Sequence, residues 1–159
     1  GCLLRPPPAG RRGAVVVVAA GRRWSGWLLE VGVPHLVVPA DDLDGLEPAL
    51  VAPPLRHHPE LGPEGANVDF FAAVSASEIA LRTFERGIEG ETLCCGSGVV
   101  AAALVAMTRG LPRRLVVRPR SGDALTVEAL EDVATGPIRF TGATRVVAEL
   151  SPTAELLAG

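Results

Sequence analysis

Two adjacent cysteines and three small residues, Cys94-Cys95-Gly96-Ser97-Gly98, lead into a stretch that carries no charge as far as Thr108. From Val99 to Met107 that stretch is only Val, Ala, Leu and Met. It is apolar around the whole helical wheel, which predicts a helix buried on every side. At about 1.5 Å per residue such a helix is only ~15 Å long, too short for a bilayer. Gly110 and Pro112 would end it. A thiol at a helix start meets unpaired backbone N–H groups, which form a ready seat for a carboxylate or phosphate. The positive helix end also favours a thiolate, by about 0.3–2 kcal/mol. That is enough to draw a thiol from its free value of about 8.5 toward neutrality. Cys95, beside the Gly96 and Ser97 amides, is the candidate for chemistry, and Cys94 is expected to be packing. On the pentapeptide alone, two small buried hydrophobes with a glycine cap remain an equal alternative.

The residues before the cysteines sharpen this. Glu85-Arg86-Gly87 and Glu91-Thr92 lie just upstream. In a strand over Ile79 to Arg86, the side chains of Ile79, Leu81, Thr83 and Glu85 share one face. A carboxylate thus ends a mostly apolar face. Arg86 offers a planar fork for a second carboxylate. A Glu–Arg neighbour pair is usually a solvated surface feature, so its place ahead of the cysteines is what singles it out. His35 after Pro34, and Asn67, read by themselves as a structural histidine and a turn residue. Zinc finds no ligand spacing, because His57 and His58 sit together in a proline-dense loop far from the cysteines.

Gly1 to Gly13 is rich in Pro, Gly and Arg and reads as a tail or linker. Ala14 to Ala20 is a β-branched strand candidate. Trp27 to Val38 is a second, interrupted at Gly32-Val33-Pro34. Asp41 to Leu50 is expected to hold a short helix with an acidic start, and Pro53 to Gly65 an irregular loop. Asn67 to Val74 and Ile79 to Arg86 read as strands. Arg114 to Arg118, Ala124 to Ala129 and Thr144 to Leu150 are further strands, with a hairpin turn at Ser121-Gly122-Asp123. The expected class is α+β: a mainly antiparallel curved sheet or barrel wrapped around one central buried helix.

At 159 residues, with 48% apolar and 21% charged residues, the chain suits one well-packed domain. A net charge of -3 with scattered arginines leaves no basic footprint for nucleic acid. No apolar run reaches a membrane span. Three cysteines, two of them adjacent, make a poor disulfide framework and favour a reducing, cytoplasmic setting. The opening Gly1 to Gly13 reads as mid-protein sequence. Residues 1–23 are therefore expected to be the remnant of a preceding domain or a linker, and residues 24–159 the domain that carries Cys95.

Thr83-Phe84-Glu85-Arg86-Gly87-Ile88-Glu89-Gly90-Glu91-Thr92-Leu93-Cys94-Cys95-Gly96-Ser97-Gly98 resembles the signature of the diaminopimelate epimerase family. Gly32-Val33-Pro34-His35 and Pro63-Glu64-Gly65-Ala66-Asn67-Val68-Asp69-Phe70 agree too, in the family's order. The resemblance runs from about Trp24 onward and matches the family's C-terminal domain. It implies a pyridoxal-independent isomerase that needs no cofactor or metal and interconverts LL- and meso-diaminopimelate on the route to lysine and peptidoglycan. Two similar domains would each supply one cysteine at a shared cleft, in an enzyme expected to be a homodimer. By this resemblance Cys95 is the C-terminal acid/base thiol, Glu85 the carboxylate that assists it, and His35 the histidine that assists the other cysteine. Asn67 and Arg86 would hold the distal end of the substrate, and the Gly96 and Ser97 amides its α-carboxylate.

The chain departs from the family pattern at Val33, where many members have asparagine, and at Ser97, where threonine is commoner. The second motif cysteine is absent from these residues, and Cys2 lacks its context, so Cys2 reads as incidental. The isolated chain is expected to be inactive. Three other readings stand beside this one. A proline racemase-like isomerase shares the helix start but lacks the Glu85, Arg86 and Glu91 lead-in. A cysteine hydrolase would pair Cys95 with His35, but no residue marks itself as the group that orients the histidine. A non-catalytic carboxylate-binding domain would keep the anion pocket alone.

Overall fold

The structure is a computed structural model that describes residues 1–4 and 13–144. Its strands are β1 (Cys2–Leu4), β2 (Gly13–Ala19), β3 (Arg22–Val31), β4 (Val33–Pro39), β5 (Asn67–Ser75), β6 (Glu78–Glu85), β7 (Gly90–Thr92), β8 (Arg114–Arg118), β9 (Leu125–Ala129) and β10 (Ile138–Thr141). Two α-helices interrupt them, α1 (Pro48–Arg56) and α2 (Gly96–Thr108). The described strands form one curved sheet in the order β1-β10-β9-β8-β6-β5-β4-β3-β2, with β7 hydrogen-bonded to β6. Its ends, β1 and β2, are not paired with each other among the described residues, so the sheet is open rather than a closed barrel. Pairing is antiparallel except for β4–β5 and β6–β8. Each parallel pair is bridged by a crossover that carries a helix, α1 in the first and α2 in the second, as parallel neighbours require.

The two helices pack into separate cores. Around α2 gather Val37, Phe71, Ile79, Leu81, Leu115, Val117 and Val127, all buried. Ala52 and Leu55 of α1 join a second core of Leu36, Val38, Val68, Phe70 and Phe84. Residues one apart on β4, β5 and β6 alternate between these cores, as strand geometry demands. The segment 13–19, on the near side of the expected boundary at residue 23, pairs with β3 along its whole length.

Several local expectations are corrected. The short helix lies at Pro48–Arg56, not at 41–50, and it runs through Pro53 and Pro54, where a loop was expected. These prolines remove the N–H groups that would bond to Ala49 and Leu50. Complete burial of Ala52 and Leu55, with Leu61 of the next turn, offsets that loss. The irregularity at Gly32 is a hairpin: Val31 pairs with Val33 around a left-handed Gly32 at φ 75°. Cys2 is not in a bare tail but in β1, opposite Phe140, and β10 has no counterpart in the sequence reading. The strand expected from Thr144 to Leu150 lies, beyond Thr144, outside the described residues.

Candidate active site

Because Val37, Phe71, Ile79 and Leu81 face α2, residues an even number of steps away on the same strands face it as well. His35 on β4, Asn67 and Asp69 on β5, and Thr83 and Glu85 on β6 therefore lie on the face that meets α2. Register sets them side by side. His35 stands opposite Asn67, Asp69 opposite Thr83, and Thr83 opposite Thr92.

Asp69 is the residue that sequence reasoning missed. It is fully buried, and its Oδ2 lies 2.6 Å from His35 Nδ1. The Thr83 hydroxyl donates to its Oδ1 at 2.7 Å. The expectation that nothing orients the histidine is thus corrected. An acid two residues after Asn67, on the inward face of an otherwise apolar strand, was the available signal. His35 is itself fully buried. Its Nε2 has no hydrogen-bond partner, the one such buried side-chain atom among the described residues.

Cys95 is the N-cap of α2, with extended backbone at φ -116° and ψ 111°. Its carbonyl accepts the Val99 N–H at 2.9 Å. Cys95 is 7% exposed, and its thiol lies 3.4 Å from the Ser97 hydroxyl. The amides of Gly96 and Ser97 belong to the first helical turn, where no intrahelical acceptor exists. Gly98 is needed here for close approach: a Cβ on it would come within 2.5 Å of Asp69 Oδ1.

The expected near-neutral thiol is not found. Burial pushes the Cys95 thiol above its ordinary value, and the carboxylates of Asp69 and Glu85 push the same way. The Ser97 hydroxyl and the Gly98 N–H stabilise the thiolate but do not outweigh burial. Nor is Cys94 packing. It is exposed, and its thiol is also raised, by partial burial and then by Asp123 and Glu85. The linkage has a definite sign: the folded chain holds its Cys95 proton more tightly than the unfolded chain. This stabilisation is present below the ordinary thiol value and is lost as pH rises through the elevated one. Alkylation of Cys95 in the folded chain, followed by mass spectrometry across pH, is expected to show its midpoint above that of a cysteine in a short peptide. A midpoint near neutrality would show that the helix end dominates after all.

The remaining candidates fall into two groups. Glu85 accepts a hydrogen bond from the Thr92 hydroxyl, which fixes one of its oxygens beside the cysteine loop. Asn67, 4% exposed, accepts the Arg86 backbone N–H at 2.7 Å, and the Arg86 guanidinium reaches the exposed Glu64 at 2.6 Å. Glu91 is occupied elsewhere, in a fork with Arg82 at 2.7 and 2.9 Å. Arg82 also donates to the carbonyls of Leu43 and Leu46, so this pair anchors the loop before α1. The buried Arg56, unremarked in the sequence, binds Glu89 at 2.8 Å and the Glu64 carbonyl at 2.7 Å. No group of three or more His, Cys, Asp or Glu positioned to hold a metal occurs among the described residues. No helix among them is long and apolar enough to cross a membrane.

The described fold is thus a mostly antiparallel α+β sheet with one buried cysteine at a helix start and a buried histidine–carboxylate pair on the sheet. The chain belongs to the diaminopimelate epimerase family, whose family model matches residues 27–141. It is 40% identical over 115 residues to the diaminopimelate epimerase of Aquifex aeolicus, covering 71% of this chain and 41% of that protein. The Archaeoglobus fulgidus diaminopimelate epimerase is 42% identical over 114 residues, covering 72% and 40%. That of Parabacteroides distasonis is 35% identical over 135 residues, covering 85% and 49%. The chain thus spans two-fifths to about half the length of these relatives. Among solved structures, a Bacillus anthracis phenazine biosynthesis protein of the PhzF family matches with a TM-score of 0.47 at 21% identity, covering 80% of this chain and 39% of that one.

Proposed function

We propose that this chain supplies one half of an epimerase site that interconverts LL- and meso-diaminopimelate without a cofactor, with Cys95 as one of two acid/base thiols. The observation that carries this reading is the seat of Cys95: a shielded thiol at the N-cap of α2, next to helix amides with no acceptor among the described residues. Inversion at a carbon needs a base on one face and an acid on the other, since a single base returns the proton to its own side. A thiol held above its ordinary pKa suits the acid role, with its proton ready for delivery. In the reverse direction the same sulfur, left as thiolate, is the base.

The other roles are those that the family resemblance implies. The Gly96 and Ser97 amides hold the α-carboxylate at the positive end of α2. Glu85 assists Cys95, His35 assists the second cysteine, and Asn67 with Arg86 holds the distal end. The second cysteine comes from an N-terminal domain outside these residues. Residues 24–159 act as the C-terminal domain, residues 1–23 as the connection to it, and the curved sheet closes around α2 in the assembled enzyme. That enzyme is a cytoplasmic homodimer serving lysine and peptidoglycan synthesis.

The hydrolase reading fares worse. A Cys–His nucleophile pair needs a hydrogen bond between the two, and His35 Nε2 has no partner among the described residues. The test is to supply an N-terminal epimerase half in trans, in deuterium oxide, with diaminopimelate and with proline. Deuteration and inversion of diaminopimelate alone is the expected result. Turnover of proline would make the protein a racemase of the other type. Binding without exchange would leave only a carboxylate-binding domain.

A further inference from the structure

We propose that Asp69 is a positioning residue for the site. It holds His35 with the ring proton on Nδ1 and leaves Nε2 as a bare lone pair facing a hydrogen-bond donor from outside this chain. The inference starts from what a carboxylate can do. Its oxygens only accept, so the 2.6 Å contact between Asp69 Oδ2 and His35 Nδ1 requires the proton on Nδ1. A neutral imidazole carries one ring proton, and Nε2 is then an acceptor.

Asp69 cannot easily turn away from this duty. Its other oxygen takes the Thr83 hydroxyl at 2.7 Å, and Gly98 approaches so closely that a single added carbon would collide with that oxygen. His35 and Asp69 are both wholly shielded from solvent. The helix that carries Cys95, the strand that carries Glu85 and the strand that carries Asn67 therefore all bear on one carboxylate. Fixing it sets the ring of His35.

The orphaned Nε2 is the second observation. A buried acceptor with no partner carries a desolvation cost, and native proteins complete nearly all such groups. Polar atoms left open in this way are where an incoming group docks. The chemistry that fits is a donor, and the proposed second catalytic thiol is one. The identity of that donor rests on the epimerase reading, but the tautomer of His35 does not.

The experiment begins with the ¹⁵N-labelled 159-residue chain, its His35 ring signals assigned with the help of His57→Gln and His58→Gln. Long-range ¹H–¹⁵N correlations are expected to show a protonated Nδ1 and a bare Nε2. Asp69→Ala should remove that preference, and Thr83→Val should weaken it. A wild-type ring that carries a proton on Nε2, with Nδ1 bare or protonated, overturns the proposal at once, whether or not any variant folds. In the complete two-domain protein, Asp69→Asn is expected to lower kcat for α-proton exchange by about a hundredfold or more, with KM little changed. A folded Asp69→Asn enzyme that exchanges at the full rate also overturns it. If the unaltered complete protein performs no exchange while the Nδ1–H signature is present, the epimerase reading fails and the positioning role of Asp69 stands.

Discussion

Replacing Cys95 by alanine in the complete protein is expected to abolish inversion of diaminopimelate while leaving deuterium exchange at one stereoisomer. The loss in inversion should be at least the 10²–10⁴-fold typical of a positioned proton-transfer group, or about 2.7–5.4 kcal/mol of transition-state stabilisation. The surviving exchange follows from the same geometry. With Cys95 gone, the proposed second thiolate is still expected to remove the α-proton of the isomer it faces. It can only return a deuteron to that face, so this isomer exchanges without inverting. The isomer that needs Cys95 as base does neither. A uniform loss of both reactions at both isomers would indicate a collapsed site. Full activity in Cys95→Ala would remove Cys95 from the mechanism. Cys94→Ala is the matched control: that side chain is exposed, does not cap α2, and its removal should leave the rate within about twofold, in the range of ordinary surface changes.

What the sequence disclosed about this site, and what it hid, divides along the distance of the interactions. Cys95, the following glycines and the uncharged run to Thr108 are consecutive, and a helix start is a local event. The position of the thiol at the N-cap was therefore legible. Its ionisation was not, because burial by other elements raises the thiol and outweighs the Ser97 and Gly98 hydrogen bonds. The alternation of Ile79, Leu81, Thr83 and Glu85 was legible from period two alone. The contact between His35 and Asp69 was not. It joins residues 34 apart through a parallel pairing of β4 with β5, and no local pattern encodes that register. Family resemblance picked out His35 and Asn67 but passed over Asp69 between them and Thr83. Helix α1 failed for a different reason. Pro53 and Pro54 signal a break, and only tertiary burial of Ala52 and Leu55 overrides the local cost.

Helix α2 should behave unlike an ordinary surface helix under mutation. Every residue from Gly98 to Met107 is buried, so no turn of it presents a face to water. Aspartate placed singly at Val99, Ala101, Ala102, Ala103 or Ala106 would in each case put a carboxylate among Ile79, Leu115, Val127 and their neighbours, with no cation in that core to pair with it. An unpaired buried charge costs several kcal/mol after relaxation, against a total stability of about 5–15 kcal/mol for a domain. Each substitution is therefore expected to lower the urea midpoint severely or prevent folding, with far-UV circular dichroism as the readout. Thr108, at the last helical position and exposed, supplies the contrast. Thr108→Asp should cost about 1 kcal/mol or less, from a negative charge near the negative helix end. An amphipathic helix would instead tolerate aspartate at every third or fourth position. If that periodic tolerance appears, one face of α2 meets solvent, and the thiol that α2 presents loses the shielding that raises it. If it does not, the same burial that makes the helix intolerant of charge is what keeps the Cys95 proton in place.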